Sequence, residues 1–125
     1  MEYQPGVCNI GPSEQRKRLA LGVVSLLAAV VIVAAVISIG LPAWTLLVTV
    51  FPLYGAALGF IQYRARFCVG FAGVGVFDVG DGTHEVTDPR ALESDRQRAI
   101  RLNLRAVGVA VAGALLVYGG VVAAL

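Results

Sequence analysis

Charge is scarce in this sequence and, over two long stretches, missing. Asp, Glu, Lys and Arg make up 14% of the 125 residues, against 58% hydrophobic. A soluble domain carries about a quarter charged and under half apolar. A core built from so short a chain cannot hide that excess, so the apolar surface faces lipid. Two cysteines are too few for a disulfide framework. A net charge of +2 is too small to argue for nucleic acid. Low-complexity tracts, internal repeats and linker-like segments are missing. So are P-loop, paired-histidine and nucleophile-elbow motifs. The lone histidine, His84, has Asp78, Asp81 and Glu85 near it in sequence. Asp-Val-Gly-Asp-Gly is not the calcium-loop spacing, and the set is incomplete for zinc. These read as ordinary surface residues, and neither metal nor cofactor is expected.

What is there is apolar length. Arg18 and Arg64 bracket 45 uncharged residues, from 19 to 63. A helix needs about 20 to cross a bilayer, so this run is two crossings and a turn. Gly40 can end a helix in the left-handed region, and Pro42 suits the first turn of the next. Span 1 is read at Leu19–Ile39 and span 2 at Pro42–Tyr63, with Trp44 at the outer interface and a kink at Pro52. A third run follows Arg105 and gives span 3, at about 104–125. Span 1 is too long for the core of a cleaved signal peptide, which has about 7–15 residues. Phe67–Phe77 is apolar but only 11 residues long, too short to span. Gly70, Gly73 and Gly75 weaken it as a helix. An interfacial or re-entrant piece and a β-strand both remain open for it. The fold class is therefore an all-α membrane protein of three transmembrane helices, a single membrane domain over 1–125.

Basic residues near span ends mark the cytoplasmic side. All ten flank the same ends: Arg16, Lys17 and Arg18 before span 1, Arg64 and Arg66 after span 2, and Arg90, Arg96, Arg98, Arg101 and Arg105 before span 3. The acidic residues share that side. The N-terminus is read as cytoplasmic and the C-terminus as external. Polar chemistry is then confined to 1–18 and to the loop and juxtamembrane helix at 64–103. Within that loop, Gly80-Asp81-Gly82 signals a turn and Thr83–Thr87 a short strand, together a small β-hairpin. Asp88-Pro89 caps one long helix that runs on through span 3. The arginines before span 3 read first as topology determinants on a solvated face, because acidic residues are interleaved. Anionic-lipid binding is the sharper alternative.

Gly55-x-x-x-Gly59 in span 2 and Ala106-x-x-x-Ala110-x-x-x-Ala114 in span 3 have the spacing that lets helix backbones approach closely. They pack the spans together or join protomers; the spacing does not separate the two. The charge-free spans argue against a proton-coupled transporter, and a carrier of small neutral solutes is the most distant reading. Cys8 and Cys68 each lie a few residues outside a span on the same face. Buried, inert thiols are the default, and Arg64 and Arg66 beside Cys68 provide an electropositive setting for reactivity.

The segment from Cys8 to Gly22, with Asn9, Gly11, Glu14, Arg18 and Gly22, resembles the start of a family of small bacterial membrane proteins. That family is typified by the membrane domain of inner-membrane rhodanese proteins. Pro42, Trp44, Phe67 and Cys68 look like its Pro/Trp turn and its Phe-Cys pair. The likeness covers about residues 8–68. It departs from the pattern where Ile61–Arg66 intervene before Phe67 and where Val69 replaces a proline. Span 3 and residues 69–105 have no counterpart. The resemblance implies a helical-hairpin membrane domain in a prokaryotic inner membrane, often self-associating and sometimes near sulfur chemistry; it implies no reaction. Without the family, Asn9 and Gly11 read as a turn ahead of the helix. Glu14 sits at the positive helix end, four residues from Arg18, and Gly22 permits close approach one turn later. Two functions follow as expectations. One is a non-enzymatic module that partners the bilayer and itself or other membrane subunits. The other is a thiol-handling protein using Cys68, with or without Cys8.

Overall fold

The computed structural model describes residues 2–124. The chain is mostly helical. Helix α1 (Pro12–Ile39) is followed by a 3-10 segment (Ala43–Thr49), α2 (Val50–Ala65), the short α3 (Val69–Val74), strands β1 (Val76–Phe77) and β2 (His84–Glu85), and α4 (Pro89–Ala124). Three stretches are long and apolar enough to cross a membrane: Pro12–Ile39, Ala43–Ala65 and Pro89–Ala124.

The helix ends follow from local chemistry. Pro12 opens α1, where its missing N–H has no partner to lose. Gly40 closes it at φ 76 and donates its N–H to the Val36 carbonyl, a conformation that costs a side chain-bearing residue about 1–2 kcal/mol. Pro42 then starts the return. Span 2 is not one helix kinked at Pro52, as its sequence predicts. Its first third is 3-10, with Thr45 and Thr49 hydroxyls donating to the Pro42 and Leu46 carbonyls. The change to α-helix falls at Val50, so Pro52 lies in the first turn of α2, where no intrahelical bond is forfeited. Asp88 caps α4 by accepting the Arg90 N–H at 3.0 Å, and the helix runs unbroken from the juxtamembrane arginines through the third apolar stretch.

Span 2 is the shared neighbour: α1 and α4 both pack against it and its 3-10 segment. The seams are narrow and built of small residues. Helix α1 buries Gly22, Ala29 and Val36, seven residues apart. Helix α4 buries Ala91, Asp95, Ala99, Leu102, Ala106, Ala110 and Ala114 at spacings of three and four. Where α1 meets α2, a Cβ on Gly59 would come within 2.5 Å of the Gly22 nitrogen and 2.7 Å of the Arg18 carbonyl. Both are backbone atoms with no room to give, so two glycines set this crossing. Gly55 faces the Ser25 side chain, whose Oγ a Cβ would approach to 2.6 Å. On the other side, the Tyr54 hydroxyl donates to Asn103 Oδ1 and joins α2 to α4.

The segment Phe67–Phe77 is mainly helical. Val69–Val74 forms α3 despite Gly70 and Gly73, because Ala72 is fully buried in a small core with Phe67, Ala99 and Leu102. Tertiary burial outweighs the glycine penalty of about 1 kcal/mol per residue. Val76–Phe77 pairs antiparallel with His84–Glu85, Val76 opposite Glu85.

Candidate functional site

The polar ends of the three long helices meet in one layer, and the residues before α1 thread through it. Asn9 is fully buried. Its Nδ2 donates to the Cys68 carbonyl at 3.1 Å, and its Oδ1 accepts the Cys68 N–H at 2.6 Å. Its own N–H goes to the Arg66 carbonyl at 3.2 Å, and its carbonyl accepts from Asp78 at 2.9 Å. One side chain and one peptide unit thus hold three segments: the chain before α1, the α2–α3 connection, and the loop after β1. The amide supplies both the donor and the acceptor that the backbone of one residue, Cys68, requires. Gly11 extends the clasp by donating to the Asp78 carbonyl at 2.8 Å. A Cβ there would lie 2.6 Å from the Val79 carbonyl carbon and oxygen. Gln62, also buried, accepts the Val69 N–H at 2.8 Å. It satisfies a donor that the start of α3 would leave without a partner.

Beside this clasp lies a short charge relay. Glu14 sits between Lys17 at 2.7 Å and Arg18 at 3.1 Å. The hydrogen bond from Lys17, with the charge of Arg18 behind it, holds the Glu14 carboxyl below its usual range against the opposing effect of burial. Arg18 donates its other nitrogen, Nη2, to Cys68 Sγ at 3.0 Å, and its guanidinium lies 5.3 Å from the Phe71 ring centre. Cys68 Sγ also accepts the Phe71 N–H at 3.4 Å, as the N-cap of α3. The arginine that meets this thiol is therefore Arg18, from 50 residues away, rather than the sequence neighbours Arg64 and Arg66. Gln15 Nε2 adds a bond to the Tyr63 carbonyl at 2.7 Å.

The first residues are strapped to α4. Asp95, 1% exposed, accepts from the Tyr3 hydroxyl at 2.6 Å and the Gly6 N–H at 2.7 Å. Arg98, one turn on, donates to the Gly6 carbonyl at 3.0 Å and lies 5.4 Å from the Phe67 ring centre. Tyr3 stacks on Phe77 with ring centres 4.2 Å apart. Burial, and then the hydrogen bond and charge of Asp95, push the Tyr3 hydroxyl well above its ordinary value of 10.0.

Asn9, Gly11, Glu14, Arg18, Gly22 and Cys68 are thus brought into one contiguous layer; Gly22 anchors its membrane side against Gly59 and the Phe60 ring. Cys8 and Cys68 are both buried free thiols; Cys8 Sγ donates to the Glu2 carbonyl at 3.3 Å. Gly55 and Gly59 pack within the chain, against α1. His84 stays at the loop surface, 3.4 Å from Asp81. Among the described residues, no three His, Cys, Asp or Glu side chains form a metal-ligand set. Sequence reasoning passed over Tyr3, Gly6 and Asn103, read Asp78 as a surface neighbour of His84, and left Asp95 on a solvated helix face, whereas it is buried. Asp95 alone carried a signal: it falls in phase with Ala91 and Ala99 on the buried stripe of α4, where a lone carboxylate must find partners.

Comparisons with protein-family models, with curated proteins and with solved structures find no match for this chain.

Proposed function

We propose that this chain is a non-enzymatic module of a prokaryotic inner membrane. In this reading its polar layer faces the cytoplasm, and it works by associating with itself or with other membrane subunits. The carrying observation is where the polar side chains are committed. Asn9, Gln62 and Asp95 are buried and spend their hydrogen bonds within the chain, Asn9 and Asp95 on segments far away in sequence and Gln62 on the start of α3. That is how a rigid head is built. The spans support the same reading. Of their most apolar windows only 17%, 28% and 17% is buried within the chain, so most of each helix is left for lipid or other helices. Orientation rests on the arginine asymmetry. On this reading, the likeness of residues 8–68 to the rhodanese-type membrane domain lies in the clasp itself. Crosslinking in cells and molecular mass in lipid nanodiscs test the proposal. A specific oligomer or a stable heteromeric partner is expected; a monomer in nanodiscs that crosslinks to nothing in cells would end it.

A second reading is favoured by one contact. The 3.0 Å approach of Arg18 Nη2 to Cys68 Sγ puts a cation on the same sulfur that accepts the Phe71 N–H. A thiol-handling protein would use Cys68 in this way. Labelling rates decide it: Cys68 must react faster than a free model thiol, and Arg18→Gln must remove the difference.

A further inference from the structure

The cytoplasmic-end groove between α2 and α4 has a composition that the clasp does not explain. It is a cavity of about 430 Å³ lined by Ile61, Arg64, Ala65, Arg98, Leu102 and Arg105. That size falls among small-ligand sites, which run about 300–1,000 Å³. Ile61, Arg64 and Ala65 share one face of α2; Arg98, Leu102 and Arg105 share one face of α4. Three cations therefore line one depression, and no carboxylate lines it. The ion pairs among the described residues are those of Glu14 with Lys17 and Arg18, and of His84 with Asp81. None of the groove arginines has a carboxylate within 4.0 Å. Arg98 is already held by the Gly6 carbonyl and the Phe67 ring, yet its Nε is buried without a partner. Three unneutralised guanidinium groups repel one another. A dianionic or monoanionic phosphate relieves that repulsion, and guanidinium geometry suits phosphate oxygens.

We propose that this groove binds the phosphate headgroup of an anionic phospholipid. The apolar half of the lining selects a lipid over a free anion. Ile61 lies in the uncharged stretch of α2, where acyl chains lie, and Ala65 and Leu102 extend the apolar lining from it. Arg64 and Arg105 stand where the uncharged stretches of α2 and α4 end, at the headgroup level, and Arg98 lies about two turns further out on α4. Basic pockets between spans on the cytoplasmic side bind such headgroups for this reason. Arg98 needs little further ordering, so binding loses less side-chain entropy than at a mobile arginine. The inference requires only that the helices span a membrane; it does not depend on self-association or on thiol chemistry.

The test uses the full chain, delipidated in a neutral detergent. Phosphatidylglycerol is titrated against phosphatidylcholine, with retained lipid read by native mass spectrometry and stability by the thermal midpoint. Phosphatidylglycerol is expected to be retained and to raise the midpoint, and phosphatidylcholine to do neither. Arg64→Gln and Arg105→Gln, both at exposed positions, each raise the phosphatidylglycerol needed by about fivefold. Arg96→Gln makes the same charge change on α4 away from the groove and leaves it unchanged. An equal loss in Arg96→Gln would reduce the effect to diffuse charge and overturn the proposal. Equal retention of phosphatidylcholine would overturn it, as would displacement by inorganic phosphate, which would make the groove a soluble-anion site.

Discussion

Asn9 is the residue on which the polar layer turns. Asn9→Ala leaves the Cys68 N–H buried and unpaired, at about 1–3 kcal/mol, while the Cys68 carbonyl keeps the Ala72 N–H at 3.1 Å. A fall in thermal midpoint equivalent to about 1–3 kcal/mol is expected in detergent, with the loop at 66–78 becoming sensitive to protease. Asn9→Asp discriminates further. It keeps the acceptor for the Cys68 N–H but sets an oxygen against the Cys68 carbonyl, so it should rescue little. Tyr3 makes a prediction in pH. Its folded value is raised above 10.0, so the folded state holds the proton more tightly than the unfolded chain. The contribution is complete below about pH 10 and declines as pH rises past it. Tyr3→Phe should cost about 1 kcal/mol at neutral pH and flatten the alkaline limb of the stability curve. An unchanged limb would mean that Tyr3 does not titrate against Asp95. Neither residue's partner was legible in the sequence. Asn9 bonds a peptide group 59 residues away and Tyr3 a carboxylate 92 away; nothing local to either position encodes such a pairing.

Element boundaries were far more legible, because capping chemistry is local. Gly40 and Pro42 mark the outer turn, and Asp88-Pro89 the start of α4, by rules that need only neighbouring residues. The errors came where tertiary context outvoted local preference. The 3-10 turn ahead of Val50 moved Pro52 into a first turn, and the burial of Ala72 made a helix of a glycine-rich segment. The glycine spacing in α2 predicted close approach but could not name the partner; Gly22 and the backbone of Arg18 supply it. This gives a paired test. Gly59→Ala forces a Cβ against backbone and should cost roughly 1–3 kcal/mol. Gly108→Ala meets nothing within 4 Å and should stabilise by about 0.5–1 kcal/mol through helix propensity. Were Gly108→Ala to weaken self-association in nanodiscs instead, the outward face of α4 would be where protomers meet. Equal effects of the two substitutions on the monomer's midpoint would contradict the packing described for α1 and α2.

At the scale of the whole molecule, the seams and the charges say the same thing. Helix ends carrying all ten basic residues are drawn together by Asn9, Gln62, Asp95 and Arg18, while the opposite ends are joined by a short uncharged turn. A three-span chain built this way has one polar face and one bare face. Span 2 alone separates the turn at Leu41 from the loop at Gly82, so the proposed topology has them on opposite sides of the bilayer. The account therefore depends most on sidedness. The direct measurement is labelling of Leu41→Cys and Gly82→Cys with a membrane-impermeant maleimide in intact cells. The parent chain, whose two thiols are buried, supplies the background. Leu41→Cys should label from outside, and Gly82→Cys only after the membrane is permeabilised. Labelling of Gly82→Cys in intact cells, or of both positions from one side, would contradict the account.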